Sequence, residues 1–575
     1  MNSRNLTLLT VMTFRSTRTY FLLAFVVLGL CIGAFAQGGI GELTGEVTDS
    51  TGAVVPGVAV KLTNTATGEV RTTVTTPSGT YRFPALPIVG TYTLEVAAKG
   101  FKPVKVDDII ASVGIITTRD VKLEVGAVTE QVTVEAGGQL VETEDSSLSQ
   151  NVDRHVWQDM PLETRSQNEF IGLLAGAEPA AQAELNEDRG AAVNGARSGS
   201  GNFMVDGFDN NDQGLGGASS TAGGGPGGAL TTISPDAIEE YRVIEGTPPA
   251  EYGKAGGFVT DTVLRSGTNS WHGSLFEYNR IQALTANSWF SNHSDEQDHL
   301  VRNQFGGSIG GPIVKDKTFF YFTVEAHRMR RSYPTTGATI TPDFINFVQS
   351  GNFEAFIESS PNGMCNNQAF LNSLVTSGYL SSAPSAAPCT GAFAANATTG
   401  AVFQKMIAAQ PLPLCAAGAA NCTNLTNGAQ GLWTGGGAGA LGLTYPVNVY
   451  GTVTLPQVYL LNQMRYATKV DHKVGSNDQI NAAYLYDNPD SNYSATFGPA
   501  SPNHNRAQNA GVTWSHTFSA TVLNQARMSY VRHTGNFPGD PSVTGMPYTW
   551  TWFDEPITTF GNADNVPQFF TENEF

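Results

Sequence analysis

Apolar and polar residues alternate one by one along much of this chain, the pattern of β-strands with one packed face and one wet face. In the N-terminal part the alternation runs from Val58 to Leu62 and again from Tyr92 to Val96. Turn residues at Asp49–Gly52 and Pro77–Gly79 separate such strands. Residues 37–126 are therefore predicted to form a small β-sandwich.

The second half of the chain uses the same period with different residues. In the stretch 462–471, Met464 and Tyr466 share one face, while Arg465 and Lys469 share the other. Arginine and lysine are costly in a protein core, so this strand is predicted to turn apolar groups toward lipid and charged groups toward a wet lumen. Three further strands repeat the pattern, with apolar faces formed by Ile480, Ala482, Tyr484 and Tyr486, by Ala510, Val512, Trp514 and Phe518, and by Ala526, Met528 and Tyr530.

Seven barrel-like strands are predicted between Trp271 and His533, or eight with Tyr548–Phe553. Thr571–Glu574 has no alternation, and no strand is predicted there. A long connection, 332–456, is predicted to be an extracellular loop. Short turns are predicted at 314–317, 474–477 and 519–521. Aromatic residues at strand ends are predicted to form membrane-interface girdles: Trp271, Trp289, Phe290, Phe319 and Phe320.

The first 36 residues have the pattern of an export signal. Arg4, Arg15 and Arg18 precede an apolar run from Tyr20 to Ala34, and Ala34-Phe35-Ala36 is a small-x-small cleavage site. The run is too short for a comfortable membrane span, and no later stretch is apolar enough for a helical one. An uncleaved anchor helix is the alternative.

Net charge and cysteine content limit the kinds of partner, crosslink and metal site that the sequence predicts. The chain has 32 Lys and Arg against 50 Asp and Glu, a net charge of −18 that disfavours nucleic acid. Four clustered cysteines in an exported chain indicate two disulfides with three possible pairings, whereas zinc would need closer pairs. These cysteines are Cys365, Cys389, Cys415 and Cys422. No cofactor or metal is predicted.

Three motifs stand in order between residues 194 and 278. They read NGARSGSGNFMVDGFDNND from Asn194, SPDAIEEYRVIEGTPPAEYGKAGGFV from Ser234, and LRSGTNSWHGSLFEY from Leu264. Together they resemble the plug domain and first barrel strand of TonB-dependent outer-membrane receptors of the Oar-like group. The segment Pro77–Phe101 is similar to carboxypeptidase-regulatory-like domains of the transthyretin type.

The resemblance implies a mainly β protein in five parts. These are a signal peptide at 1–36, a transthyretin-like β-sandwich at 37–126, a linker at 127–140, an α/β plug domain at 141–266, and the N-terminal part of an antiparallel transmembrane β-barrel at 267–575. A plugged barrel needs about 22 strands. The smaller number predicted here implies a chain that is truncated in its barrel.

The resemblance also assigns candidate site residues. The plug motif gives Asn194, Gly195, Arg197, Asp206, Gly207, Asp209 and Asn210. The plug–barrel junction gives Ser266, Gly267, Thr268, Asn269, His272 and Gly273. The acidic turn, which includes Asp212, lacks the spacing of an EF-hand, so a hydrogen-bonded turn is favoured over a calcium site.

Residues 130–136 resemble the TonB box, the extended segment that such receptors offer to an inner-membrane energy-coupling protein. The candidate residues are Glu130, Val132, Thr133, Val134 and Ala136. Alternating valines suit strand addition to the edge of a partner's sheet. A last sandwich strand or a plain linker is the alternative interpretation.

Catalysis is not predicted. Residues 37–154 contain neither His nor Cys, so the sandwich cannot assemble a zinc peptidase site. Gly306–Gly310 satisfies G-x-S-x-G, but it lies in a predicted strand without the following helix that a nucleophile elbow needs.

The resemblance implies a receptor in the outer membrane of a diderm bacterium, with a periplasmic N-terminal domain. Its expected partners are a TonB-type protein, membrane lipid, and an unidentified ligand such as a glycan, peptide or siderophore. Carbohydrate binding is one of these expectations. Adhesion or protein secretion of the Oar-like type is the first alternative, and a soluble periplasmic enzyme or binding protein is the second.

Overall fold

A computed structural model describes ten stretches of the chain, with short gaps inside several of them. They are 41–126, 132–135, 148–178, 192–211, 229–349, 415–426, 446–493, 501–519, 522–537 and 568–574. Several sequence predictions lie outside the described residues. These concern the signal peptide, Glu130, Ala136, Arg197, Asp212, Trp289, Phe290, Cys365, Cys389 and the strand at 548–553.

Two sheets form the N-terminal sandwich. Its strands are β1 (Gly41–Asp49), β2 (Ala59–Asn64), β3 (Val70–Val74), β4 (Thr80–Leu86), β5 (Tyr92–Ala97), β6 (Val104–Ile109), β7 (Ile116–Thr118), β8 (Val121–Leu123) and β9 (Val132–Glu135). One sheet has the order β4-β1-β7, with β8 also on β1, and the other has the order β3-β2-β5-β6-β9. The predicted alternation is confirmed, because Val60 pairs with Val96 and Leu62 with Leu94. All four side chains are buried in one core that both sheets share.

A mixed sheet follows the sandwich, and we call it the inner sheet. The described part of the chain between 148 and 264 forms seven strands, five of which belong to this sheet. The seven are β10 (Leu148–Asp153), β11 (Ala177–Glu178), β12 (Ala192–Val193), β13 (Asn202–Val205), β14 (Phe208–Asp209), β15 (Ile238–Glu245) and β16 (Phe258–Leu264). The strand order is β10-β15-β16-β13-β14, and β11 pairs with β12 apart from it. Short 3-10 turns lie at Gln167–Leu173 and Pro235–Ala237. Every residue of β16 is buried, as expected for a strand covered on both faces.

The rest of the chain builds one large antiparallel sheet, the wall sheet. Its strands are β17 (His272–Ile281), β18 (His299–Val314), β19 (Thr318–Ile340), β20 (Cys422–Thr426), β21 (Tyr450–Lys473), β22 (Asp478–Tyr493), β23 (Ser501–Ser519), β24 (Val522–Phe537) and β25 (Gln568–Glu574). The order is β17-β18-β19-β21-β22-β23-β24-β25, with β20 on β21. The three short turns are confirmed between β18 and β19, β21 and β22, and β23 and β24. We call this end of the sheet the turn end.

The wall sheet has a polar inner face and an apolar outer face, as the alternation predicted. Arg465 is 2% exposed and Asp487 is fully buried, although both are charged. On the opposite face Trp514 is 43% exposed and Met528 is 71% exposed. This polarity is the reverse of that in a water-soluble sandwich, and it suits a wall with lipid on one side.

Helices contribute little to the described structure. A short helix, α1 (Pro342–Gln349), follows β19. Within the described ranges, no helix has both the length and the apolar character that a membrane crossing requires.

The structure corrects four sequence predictions. The loop predicted at 332–456 is shorter, because β19 and β21 stay paired out to Ile340 and Tyr450. Backbone pairing does not need alternating side chains, so the ladder continues where the apolar pattern stops. For the same reason β25 pairs with β24 over Gln568–Glu574, where no strand was predicted. Phe319 is buried rather than part of an exposed girdle. The predicted linker at 127–140 contains β9, which pairs with β6.

Candidate functional site

The β13–β14 hairpin carries the core of the plug motif. Asp206 and Gly207 have φ values of 45° and 77°, the positive values of a two-residue type I′ turn. Asp206 Oδ1 accepts hydrogen bonds from the Leu264 N–H (3.1 Å) and from Lys469 Nζ of the wall (3.0 Å). The Gly207 N–H donates to Asp261 Oδ1 (3.2 Å). The turn therefore ties two strands of the inner sheet to the wall.

The next motif residues form a second hydrogen-bonded turn. Asp209 Oδ1 accepts from the backbone N–H and the side-chain amide of Asn211, both at 2.8 Å. Asn210 Oδ1 accepts from the Thr231 hydroxyl (2.7 Å), and the Asn509 amide of the wall donates to the Asp209 carbonyl (2.8 Å). These acidic and amide groups are thus engaged within the protein. No cluster of metal-ligating side chains is found among the residues that the structure describes.

Asn194 and Gly195 lie in another turn, away from the hairpin. Both have positive φ values, 52° and 77°. The Asn194 N–H donates to the Gly176 carbonyl (2.9 Å), and this bond closes the turn next to the β11–β12 pair. The plug motif is therefore a set of separate turns, each fixed by a residue type that tolerates positive φ.

A buried polar cluster joins the inner sheet to the wall at 232–234. The Thr232 N–H donates to Asp487 Oδ2 (3.0 Å), and the Ser234 hydroxyl donates to Glu325 Oε2 (2.6 Å). Arg465 Nη1 lies 3.4 Å from Glu325 Oε1. The sequence predicted that Arg465 faces inward, but it gave no sign that Thr232 would bond to Asp487 or Ser234 to Glu325. A backbone N–H and a serine hydroxyl carry no recognisable pattern.

The junction residues pack where the inner sheet passes into β17. A Cβ on Gly267 would overlap the Phe320 carbonyl oxygen, and one on Gly273 would overlap the Ser308 carbonyl oxygen. His272 stacks on Tyr321 with ring centroids 5.8 Å apart, and its Nδ1 lies 2.9 Å from the Ser270 carbonyl. The Thr268 hydroxyl donates to the same carbonyl (2.9 Å). Close backbone approach explains the two glycines, and Ser266 is half-buried beside them.

Two buried carboxyls of the inner sheet have raised pKa values. Burial raises the pKa of Glu240 to about 7, against opposing hydrogen bonds from the Val113 N–H and from Asn151. Burial likewise raises the pKa of Asp261 to about 6, against the Gly207 N–H. Glu240 lies where the inner sheet contacts the sandwich, so its protonation state affects the association of the inner sheet with the sandwich.

The remaining candidates are placed in three different regions. The TonB-box candidate contributes β9, which runs parallel to β6 with Val132 opposite Val104. Cys415 and Cys422 form a disulfide beside β20 and β21. Ser308 of the G-x-S-x-G sequence lies within β18 and bonds to the Ser274 hydroxyl (2.8 Å).

A wall with an apolar exterior, a charged interior and a separate domain seated on that interior defines an outer-membrane β-barrel protein. The chain belongs to the outer membrane beta barrel domain family, whose model matches residues 263–573. The carboxypeptidase regulatory-like domain model matches residues 42–124. The protein is located in the outer membrane.

The chain is similar to a curated transporter and to solved receptor structures. It is 28% identical over 315 residues to the TonB-dependent transporter Oar of Myxococcus xanthus, and the match covers 52% of this chain and 27% of that protein. The chain thus spans about a quarter of the length of this relative. The siderophore receptor PirA from Acinetobacter baumannii has a TM-score of 0.39 at 10% identity, covering 74% of this chain and 43% of PirA. The outer membrane transporter YddB from Escherichia coli gives 0.39 at 10%, covering 68% and 39%.

Proposed function

We propose that this protein is a TonB-dependent receptor that takes up an extracellular ligand across the outer membrane. Residues 141–266 would be its plug, and residues 267–575 would belong to its barrel. The observation that carries the proposal is the seating of the inner sheet on the charged face of the wall, through pairs such as Asp206–Lys469 and Ser234–Glu325. Polar contacts of this kind can be replaced by water when a domain moves, whereas a wholly apolar interface would resist separation.

Energy would reach the receptor by contact, because the outer membrane has no ATP. Residues 130–136 are the proposed contact segment, and the TonB-type protein is the proposed partner. In the described structure β9 is the edge strand of a sandwich sheet and pairs with β6, so coupling would require the segment to leave β6 or to take up the partner's strand at its other edge. The N-terminal sandwich would then lie in the periplasm.

The proposed receptor binds its ligand and lets it pass through the barrel, without catalysis and without a cofactor. The ligand would be a glycan, a peptide or a siderophore, bound by loops and by the outward side of the plug. No bond is made or broken in this mechanism. Similarity to a transporter supports it.

A matched pair of deletions tests the energy coupling. The chain lacking residues 130–136 should lose binding to the periplasmic domain of the TonB-type protein, measured with purified proteins in detergent. A chain lacking residues 141–147, a deletion of equal length, should keep that binding. If both deletion variants bind the TonB-type protein like the wild type, residues 130–136 are not the TonB box. The Oar-like adhesion or secretion role then becomes the better explanation.

A further inference from the structure

The sandwich touches the turn end of the wall through the turn at 64–69. The Asn269 N–H donates to the Ala66 carbonyl (3.0 Å), and its side-chain amide donates to the Thr67 carbonyl (2.7 Å). Asn269 also exchanges two hydrogen bonds with Asp316, one from its amide to Oδ1 (2.7 Å) and one from the Asp316 N–H to its Oδ1 (2.9 Å). A junction residue thus joins the sandwich to the first turn of the wall.

An ion pair reinforces this corner. Glu69 Oε1 lies 3.4 Å from Lys473 Nζ at the end of β21, and its side chain is 12% exposed. Burial opposes ionisation of Glu69, but the charges of Arg71 and Lys473 hold its pKa below the ordinary value. Gly68 has a φ of 71°, and a Cβ there would lie 2.8 Å from Asp316 Oδ1. The turn is therefore fitted closely to the wall.

A second corner of the sandwich touches the inner sheet. The Val113 N–H donates to Glu240 Oε2 (3.1 Å), and the Asn151 amide donates to the Val113 carbonyl (3.4 Å). Val113 is fully buried. A Cβ on Gly114 would overlap the Arg242 guanidinium. The sandwich consequently bridges the wall and the inner sheet.

Beside the first corner, residues of all three parts line a cavity of about 390 Å³, which we call the vestibule. Its volume is within the range of small-molecule pockets. Five basic and five acidic side chains line it, among them Lys473 and Glu69 of the ion pair described above. Strands β3 and β4 of the sandwich form one side, and the turn end of the wall forms the other.

We propose that the sandwich is a lid over the turn end of the barrel, and that it must undock before a solute can leave the vestibule. This inference rests on the proposed function, since a lid has meaning only for a passage. The lid carries β9 at the edge of one of its sheets. A pull on the box candidate therefore acts directly on the lid as well as on the inner sheet that follows it.

Accessibility of the vestibule wall tests the lid without a ligand or an energy source. Ser515 lines the vestibule and is 6% exposed, so Ser515→Cys reports access. In isolated outer membranes, a maleimide carrying a polyethylene glycol chain should modify Ser515→Cys slowly. Adding Lys473→Glu, which sets two carboxylates against each other, should speed modification about fivefold. Adding Glu69→Lys should do the same.

The double reversal, Glu69→Lys with Lys473→Glu, restores the opposite-charge pair between these two positions but leaves a lysine beside Arg71, which pairs with Glu69 in the parent, so the rate should return part of the way to that of the parent. Val474→Cys, in an exposed turn outside the vestibule, controls for reagent and folding, and the chain without an added cysteine gives the background. Equal modification rates in the parent, the two single variants and the double reversal would overturn the lid, and so would a double reversal that is modified no more slowly than either single variant. The deletions at 130–136 and 141–147 test coupling separately, so failure of either proposal is recognised independently.

Discussion

Glu240 is a buried carboxyl that links two parts of the chain, and its titration falls near neutral pH. Its folded pKa is about 7 and its ordinary value is 4.5. Between these values the folded chain binds the extra proton, so stability is highest at the acidic end of this window and falls as pH rises through it. Arg242 and Glu239 also face this carboxyl.

We expect Glu240→Gln to flatten this pH dependence, because glutamine stays neutral and still offers an oxygen to the Val113 N–H. Thermal unfolding of the purified chain at about pH 5 and about pH 8 measures the effect. Asp261→Asn is the comparison variant, since Asp261 lies away from the sandwich contact and has a raised pKa of about 6, and its removal should flatten the lower part of the same pH window. A variant that keeps the wild-type slope would show that another group titrates.

The pair between Asp206 and Lys469 is the second residue-scale case. Lys469→Met leaves a buried carboxylate without its cation, a loss that typically costs about 3–5 kcal/mol. The double variant with Asp206→Asn removes both charges, and asparagine tolerates the positive φ of the turn. It should recover most of the lost stability. The temperature at which the folded band disappears in a heat-modifiability gel gives the comparison, and equal losses in both variants would contradict a coupled pair.

At the scale of elements, the junction depends on a glycine in close backbone contact. A Cβ at Gly267 would overlap the Phe320 carbonyl oxygen and lie 2.7 Å from that of Gly311. We expect Gly267→Ala to destabilise the wall by about 1–3 kcal/mol, because backbone atoms must shift. Gly475, in the turn after β21, has open space around it. Gly475→Ala is therefore the matched control and should unfold like the wild type in the same assay.

Sequence alone was sufficient for elements whose two faces differ in polarity. The alternation of Val60 and Leu62, or of Arg465 and Tyr466, predicted both the strand and its orientation. It failed where pairing is carried by the backbone, as in β25 and in the outer parts of β19 and β21.

Contacts between distant segments were equally invisible in the sequence. The Thr232 N–H finds Asp487 across 255 positions of chain, and the Val113 N–H finds Glu240 across 127. Motifs located the turns beside the inner sheet, but they did not reveal which wall residues bond to them. Every residue except proline has a backbone N–H, so the sequence does not indicate which of these groups will meet a distant carboxylate in the folded chain.

At the scale of the whole molecule, the inverted polarity of the wall predicts a depth-dependent response to charge. Met528 and Asn524 project from the same face of β24, and Asn524 is nearer the turn end. Met528→Arg should destabilise the membrane-inserted chain by about 2–4 kcal/mol, whereas Asn524→Arg near the interface should cost about 0–1 kcal/mol. Folding titrations into lipid vesicles measure both variants. Equal effects would argue against lipid at this face.

The position of β10 has a mechanical consequence. β10 is the first strand after β9 in the described chain, and it lies at the margin of the inner sheet, bonded to β15 alone through six residue pairs. Tension arriving at Leu148 would load the Leu148–Glu245 pair first and then each following pair in turn, as a zipper opens. Under a pull that peels β10 away from β15, sequential rupture needs less force than shearing all six pairs at once, so this edge strand would separate while the central strands of the inner sheet stay folded.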